Sequence, residues 1–166
     1  MNLFLLRHAP AAERGTAGFA DDASRPLTPA GRRELKTIPA ALKKMDLDFD
    51  LILSSPFLRA KQTAEIISGE LKLKRRLNFS ETLKPGGGQK KLVAELTRLK
   101  PPPENLLLVG HEPDLSRLIS RLVTGQPDAG FALKKSGLVK LEIESLRLGQ
   151  CAKLVWLLTP KLMKLI

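Results

Sequence analysis

The sequence predicts an α/β fold in which a mainly parallel sheet carries helices on both faces. Short apolar runs alternate along the chain with longer segments whose apolar residues recur at helical spacing. Near the carboxyl terminus, one segment alternates apolar and charged residues and then turns back into a second apolar run. Because alternating strands and helices favour parallel pairing, we expect a three-layer sandwich with an antiparallel hairpin at one edge.

Three apolar runs are the predicted central strands, at residues 3–6, 51–53 and 106–109. Between the first two, Thr28 and Pro29 are typical of the N-cap and the first position of a helix. Apolar residues at helical spacing extend this helix to Met45. Pro39 lies inside the pattern, where a proline kinks or splits a helix.

A second helix is predicted to begin at Pro56, with Ser55 as its N-cap. Its apolar face consists of Ala60, Ala64, Ile67 and Leu71. A basic segment, residues 72–76, then leads into a short strand that ends at Phe79. The three glycines at 86–88 lack the context of a dinucleotide site or a P-loop, so we interpret them as a turn.

The last part of the chain predicts two more helices and the hairpin. Leu92, Leu96 and Leu99 mark the third helix, and the segment from Glu112 to Leu122 forms the fourth. Residues 124–135 have no regular pattern. Alternation at 139–144 and the apolar run at 154–158 predict the antiparallel strands, and residues 160–166 predict a short helix or turn.

Length and composition predict one domain over residues 1–166, because single domains usually span roughly 100–200 residues. The single cysteine, Cys151, excludes an internal disulfide and a multi-cysteine metal site, which fits a reducing cytoplasm. The chain starts without a basic leader, and spanning a membrane would require roughly 20 apolar residues in succession. We therefore expect a cytoplasmic protein without a membrane segment.

The formal net charge of +11 predicts attraction to acidic partners, namely phosphorylated groups, acidic proteins or nucleic acid. A basic nucleic-acid-binding module is the non-enzymatic alternative, and it predicts salt-dependent binding that a His8→Ala substitution leaves intact. However, the chain contains no tyrosine and no helix-turn-helix, zinc or RNA-binding signature. Nucleic acid is therefore not the expected partner.

Four cationic or titratable residues follow buried strands within a few positions: Arg7, His8, Arg59 and His111. Ligands bind at the carboxyl ends of the strands in open α/β sheets, so we expect these side chains to converge there. Gathering positive charge without matching carboxylates is costly unless an anion is bound among the cations. The guanidinium fork pairs with two oxygens at once, which suits a phosphoryl group.

These residues predict phosphoryl transfer through a covalent phosphohistidine. A neutral imidazole is a competent nucleophile near neutral pH, so His8 is the candidate for in-line attack. Arg7, Arg59 and a protonated His111 would then stabilise charge on the equatorial oxygens. Water would hydrolyse the intermediate.

Four motifs, in order along nearly the whole chain, resemble the histidine phosphatase superfamily. They are Leu-Arg-His-Ala at 6–9, Arg-Pro-Leu-Thr-Pro-Ala-Gly at 25–31, Ser-Ser-Pro-Phe-Leu-Arg-Ala at 54–60 followed by Gln-Thr-Ala at 62–64, and Val-Gly-His at 109–111. The second and third motifs and the small size are similar to the SixA-type phosphohistidine phosphatases of that superfamily.

The resemblance implies a phosphoglycerate mutase-like fold and a phosphatase with neither a metal nor an organic cofactor. It implies that His8 accepts the phosphoryl group and that Arg7, Arg59 and His111 form the phosphate pocket. One position departs from the family pattern, because Ala9 stands where the family usually has glycine. Alanine fits there only if its φ angle is negative, and we expect Ala9→Gly to be tolerated.

The sequence marks no clear general acid for the leaving group. Glu81 is the best-placed candidate, and Glu13 and Glu112 are alternatives, although isolated acidic residues are usually surface charges. Because a phosphoramidate bond needs less help from an acid than an alkoxide leaving group, this favours phosphohistidine on a protein as substrate. A small phosphorylated metabolite or a nucleotide is the alternative substrate.

Overall fold

The computed structural model describes residues 1–15, 18, 19 and 21–166, and its centre is a six-stranded sheet in the order β3-β2-β4-β1-β5-β6. The strands are β1 (Asn2–Arg7), β2 (Leu51–Ser54), β3 (Leu77–Phe79), β4 (Asn105–Gly110), β5 (Leu138–Ile143) and β6 (Ala152–Leu158). The first four strands pair in parallel, whereas β5 is antiparallel to both β1 and β6. The predicted α/β sheet with its antiparallel edge is confirmed.

The helices lie in two layers, one on each face of the sheet. They are α1 (Pro29–Glu34), α2 (Ile38–Lys44), α3 (Leu58–Glu70), α4 (Gln89–Leu96), α5 (Asp114–Thr124) and α6 (Pro160–Met163). On one face, Phe4 and Leu6 pack in a buried cluster with residues of α2, α3 and α6 and with Leu35, which follows α1. On the other face, Leu3 and Leu5 pack with α4 and α5. Alternate residues of β1 therefore serve both cores, which explains its uninterrupted apolar sequence.

The register of the parallel strands brings three strand ends to one edge of the sheet. Arg7 pairs with Gly110, and Ser54 pairs with Val109. The residues that follow, His8, Ser55 and His111, therefore emerge side by side. This edge is where the candidate site lies.

The predicted start of the first helix and its interruption near Pro39 are confirmed. Thr28 is the N-cap of α1, where its Oγ1 accepts a hydrogen bond from the Gly31 N–H at 3.0 Å. The pattern that Pro39 interrupts is split into α1 and α2, with Pro39 in the first turn of α2. The predicted extent of the third helix was wrong, because α4 ends at Leu96 and does not include Leu99.

The predicted start of α3 was also wrong. The helix begins at Leu58 rather than Pro56, and its N-cap residue is Phe57. The Ser55 hydroxyl accepts a hydrogen bond from the Phe57 N–H at 3.2 Å, but it also lies 2.8 Å from the Nε2 atom of His111. Ser55 therefore belongs to the strand-end edge rather than to the helix.

None of the helices in the described ranges has the length and apolar character needed to cross a membrane.

Gly31 allows α1 to pack against the segment that follows β1. A Cβ atom at this position would lie 2.1 Å from the carbonyl oxygen of Pro10. That oxygen is fixed, because it accepts the Thr28 N–H at 3.0 Å. The glycine of the second motif is therefore required by a close approach of two backbone segments.

We predict that Gly31→Ala lowers the free energy of unfolding by about 1–3 kcal/mol, because the new methyl group overlaps a fixed carbonyl. Gly69→Ala is the matched control, since a Cβ there meets only the flexible end of Lys74 at 3.3 Å. That substitution should be neutral or should raise stability by up to about 1 kcal/mol, as is usual within a helix. Urea unfolding of both variants measures the difference, and equal effects would contradict the packing argument.

Candidate active site

The structure brings the four residues predicted from the sequence to one place. His8 follows β1 and His111 follows β4, and their ring centroids are 5.2 Å apart. Arg59, in the first turn of α3, donates from Nε to the Nε2 atom of His8 at 3.2 Å. Arg7 lies close enough for its charge to lower the pKa of His8. His8, Arg59 and His111 are all buried.

The protonation of the His8 ring is fixed by its hydrogen bonds. The Nδ1 atom lies 2.8 Å from the carbonyl oxygen of Ala9, which only accepts, so Nδ1 carries the proton and donates it. The Nε2 atom then keeps its lone pair, which accepts the hydrogen bond from Arg59. The ring is held in one tautomer with Nε2 facing the cationic groups.

Ala9 does not disturb this geometry. It is buried, its φ angle is not among the positive ones, and its N–H donates to the Oγ1 atom of Thr63 at 3.2 Å. The backbone conformation at this position is thus one that alanine adopts without strain. The departure from the family pattern leaves the histidine in place.

Burial and neighbouring cations keep His8 neutral. Burial is the largest cause that lowers the pKa of His8 to about 3, and the charges of Arg59, Arg7 and Lys135 add to it. The hydrogen bond to Ala9 opposes the shift. At neutral pH the ring is therefore almost entirely in its unprotonated form.

Asp22 is the counter-charge of the cluster, and sequence reasoning did not identify it. Arg59 donates from Nη1 to the Asp22 carbonyl oxygen at 2.7 Å and from Nη2 to its Oδ2 atom at 3.0 Å. The Oδ1 atom accepts from Arg14 at 3.0 Å and from Arg25 at 2.9 Å. These partners lower the pKa of Asp22 to about 2, against burial, which raises it.

His111 is held by Ser55 and is neutral. Burial lowers the pKa of His111 to about 2, followed by the charges of Arg59 and His8. The role of a protonated His111 at bound phosphoryl oxygens stays a prediction, because the lowered pKa keeps this ring mainly neutral. A nearby dianion would raise its pKa again.

Several buried polar atoms of the site have no hydrogen-bond partner. Within the described ranges these include the Nε atom of Arg7, the Nδ1 atom of His111 and the Oγ atom of Ser136. Ser136 lies against the end of β1, because its N–H bonds to the Arg7 carbonyl oxygen at 3.1 Å. Unsatisfied buried groups are rare in folded proteins, and a catalytic or binding role is one explanation for those that occur.

Phe57 forms a wall of the site. The centroids of the Phe57 and His111 rings are 5.6 Å apart. The guanidinium carbon of Arg59 lies 5.4 Å from the Phe57 centroid. Lys84 approaches the same ring at 6.0 Å and forms an ion pair with Glu81. Glu81 thus lies at the rim of the site.

The three acidic residues suggested as general acids have different surroundings. The Glu81 side chain is 74% exposed. The Oε1 atom of Glu112 accepts the N–H of Ser116 at 3.2 Å. Burial lowers the pKa of Arg7, and the charge of Glu112 opposes that shift. Glu13 is exposed. Asp22, by contrast, is an ionised carboxylate that contacts the cluster directly, through Arg59.

No group of three or more histidine, cysteine, aspartate or glutamate side chains within residues 1–15, 18, 19 and 21–166 is arranged to hold a metal ion.

The chain is similar to known proteins in sequence and in fold. The family model of the histidine phosphatase superfamily (branch 1) matches residues 3–84. The phosphohistidine phosphatase SixA of Escherichia coli strain K12 is 30% identical over 143 residues, which cover 86% of each chain. The chain belongs to the histidine phosphatase superfamily. An uncharacterized protein of Picosynechococcus sp. is 37% identical over 149 residues, 89% of this chain and 88% of the relative.

The fold of this superfamily member is also similar to those of solved structures. The structure of the protein histidine phosphatase SixA complexed with tungstate matches with a TM-score of 0.82 at 25% identity, over 97% of this chain and 98% of that one. An alpha-ribazole phosphatase from Shigella flexneri shares the fold at 20% identity, with a TM-score of 0.67 over 90% and 96% of the two chains. The chain is thus a phosphatase of SixA type with a phosphoglycerate mutase-like fold.

We predict that neither histidine of this phosphatase titrates between about pH 5 and about pH 8, because both rings have pKa values lowered mainly by burial. The chain has two histidines, so carbon-detected NMR of the rings resolves them, and His8→Gln and His111→Gln assign the signals. The urea-unfolded protein is the control and should show an ordinary midpoint near about 6.5. A folded-state midpoint near that value would contradict the assignment of a buried, neutral pair.

We predict that Asp22→Asn removes stability near neutral pH and that the loss disappears in acid. The folded pKa of about 2 lies below the unfolded value of about 3.9, so the stabilisation is complete above the unfolded value and is lost as pH falls through about 2. The two histidines titrate in both proteins, and Asp22 is one of the smaller causes acting on the pKa of His111, so most of their contribution cancels in the difference between wild type and variant.

Urea unfolding from about pH 6 down to about pH 2 measures that difference. Asp21→Asn is the matched control, since it removes an equal charge from the same loop while an asparagine oxygen can still accept the Ala23 N–H. A gap between wild type and Asp22→Asn that stays constant over the whole range would show that the carboxylate charge is not what stabilises the cluster.

Proposed function

We propose that the protein removes the phosphoryl group of a phosphohistidine carried by another protein, through a covalent phosphohistidine on His8. The observation that carries the proposal is the state of His8. Its Nδ1 atom donates to Ala9, its Nε2 lone pair faces Arg59, and its pKa is lowered to about 3. A histidine in this state is a nucleophile over the whole physiological pH range.

The groups around His8 fit a tetrahedral anion. Arg59 is buried, and each of its Nη atoms keeps one N–H beyond the one bonded to Asp22. Arg7 adds a second charge with an Nε atom that has no partner. The Nδ1 atom of His111 is a further polar atom without a partner. The SixA structure similar to this chain is a complex with tungstate, which is a tetrahedral oxyanion like phosphate. In the proposal, Arg7, Arg59 and His111 bind the phosphoryl oxygens.

The proposed reaction has two steps. The Nε2 atom of His8 attacks phosphorus, and the bond from phosphorus to the substrate imidazole breaks, so that its electron pair leaves with that nitrogen, which takes a proton from solvent. Water then attacks phosphorus, the bond to Nε2 breaks, and orthophosphate leaves while His8 returns to its neutral form. In both steps the oxygens gain charge in the transition state, which the arginines stabilise. The steps use protein groups and water, with neither a metal nor an organic cofactor.

The acidic residues of the site favour a phosphoramidate substrate. Asp22 contacts the cluster, but its low pKa keeps it ionised, so it is a poor proton donor at neutral pH. Glu81, which we retain as the candidate acid, is 74% exposed and paired with Lys84. An imidazole leaves with little help from an acid, whereas an alkoxide does not. Phosphohistidine is therefore the substrate class that this site fits best.

The setting of the activity is also part of the proposal. We propose a single catalytic domain over residues 1–166 that acts on a signalling or phosphotransfer protein in the cytoplasm. The free thiol of Cys151 is compatible with a reducing compartment.

We predict that a labelled phosphohistidine peptide transfers its phosphoryl group to His8, giving an adduct that is labile in acid and stable in base. Rapid quench and mass spectrometry locate the adduct. His8→Ala should form none, whereas His111→Gln keeps the nucleophile and should form it more slowly, by about a hundredfold or more. An adduct on another residue, or hydrolysis that survives His8→Ala, would falsify the proposed mechanism.

A substrate panel separates the two enzymatic alternatives. The expected order of kcat/KM is phosphohistidine peptide first, and then sugar phosphate, phosphoserine and nucleotide, because the last three have leaving groups that need an acid. Equal or faster turnover of the phosphate esters would favour the small-metabolite alternative, in keeping with the alpha-ribazole phosphatase that shares the fold at 20% identity.

A further inference from the structure

A basic groove runs beside the candidate site on the side of Arg7. Its volume is about 660 Å³, and its basic lining consists of Arg7, Lys134, Lys135, Lys161 and Lys164. The lysines come from the segment before β5 and from the carboxyl-terminal region around α6, which are distant in sequence. We propose that this basic groove binds an acidic segment of the protein that carries the phosphohistidine. This inference rests on the proposed function and names the feature by which the substrate is selected.

The charge of the groove is not balanced within the described part of the chain. No ion pair there involves Lys134, Lys135, Lys161 or Lys164. All four lysines are exposed, so their ammonium groups can reach a bound segment. Like charges gathered along one groove repel each other and attract carboxylates, which makes an acidic partner the complementary one.

The groove is continuous with the phosphate pocket. Arg7 belongs to both, since it lines the groove and its charge lowers the pKa of His8. Lys135 also lines the groove and lowers the same pKa. A chain that delivers its phosphohistidine to His8 can therefore place the neighbouring residues in the groove.

Three features of the lining favour a peptide over a phosphate polymer. Apart from Arg7, the cations are lysines, which are single charges on flexible stems and suit carboxylates spread along a segment. Glu34 lines the groove, and its Oε1 atom is a buried acceptor without a partner. That oxygen can accept a backbone or side-chain N–H of a peptide, whereas a phosphodiester backbone has no N–H to donate. Pro10 and Pro160 add apolar surface for aliphatic parts of the bound chain.

The test compares two phosphohistidine peptides that differ only in their flanking residues, which are glutamates in one and glutamines in the other. We predict that kcat/KM favours the acidic peptide by about tenfold at low salt, as expected for several exposed ion pairs. The preference should shrink as salt rises from about 50 mM to about 500 mM, because exposed charges are screened.

A triple variant, Lys134→Gln with Lys161→Gln and Lys164→Gln, should reduce the preference for the acidic peptide to about twofold or less. The variant leaves Arg7 and Lys135 in place, because both act on His8. The matched control replaces three exposed lysines outside the groove by glutamine, at Lys90, Lys91 and Lys153, and should keep the full preference. The single variant Lys161→Gln gives a smaller loss in the same direction and guards against misfolding of the triple variant.

A binding experiment reports on the groove without turnover. Fluorescence anisotropy with the two unphosphorylated peptides and the His8→Ala protein should show tighter binding of the acidic one, again dependent on the three lysines. Tighter binding of a single-stranded oligonucleotide than of the acidic peptide, with the same lysine dependence, would assign the groove to nucleic acid and overturn the inference.

The outcomes separate the inference from the proposed function. Hydrolysis of phosphoramidate and of both peptides at equal efficiency would overturn the acidic docking groove and leave the phosphatase proposal standing. Failure of the wild-type protein to hydrolyse phosphoramidate or either peptide would contradict the proposed function, while the anisotropy measurement would still decide what the groove binds.

Discussion

The hydrogen bond from the Nδ1 atom of His8 to the Ala9 carbonyl oxygen is the contact on which the geometry of the site depends. It fixes the proton on Nδ1 and leaves the Nε2 lone pair to accept a hydrogen bond from Arg59. The Ala9 backbone is itself fixed, since its N–H bonds to the hydroxyl of Thr63 in α3. One backbone carbonyl thus converts a buried histidine into an oriented, neutral ring.

Similar hydrogen bonds connect motifs that are distant in the sequence. The Gln62 side chain accepts the N–H of Leu27, and Pro10, which follows the first motif, accepts that of Thr28. Helix α3 therefore holds both the segment after β1 and the segment before α1. Motif residues that do not contact the candidate site therefore have a structural role, because they hold the segments that carry the site residues in place.

The strand ends could be predicted from the sequence, whereas the contacts between loops and strands could not. An apolar run that stops at Arg7-His8 or at Gly110-His111 is visible in the chain, and parallel pairing makes such ends neighbours. Asp22 lies in a polar segment with no pattern, and only the folded chain carries it to Arg59. Ser55 has the sequence context of a helix cap, and its pairing with His111 depends on the β2–β4 register. The protonation of His111 depends on burial, which the residue type does not reveal.

The electrostatics of the cluster limit the chemistry that it can perform. Burial and cations together lower the pKa values of both histidines, and Arg59, which acts on both, also lowers that of Asp22. An environment that makes a histidine a free nucleophile at neutral pH therefore also deprives the adjacent carboxylate of its proton. Cations that keep His8 unprotonated also keep Asp22 ionised, so they do not provide both a nucleophile and a strong proton donor. A bond whose leaving group needs no strong acid is the bond that such a site is suited to break, and the phosphorus–nitrogen bond of phosphohistidine is one of these.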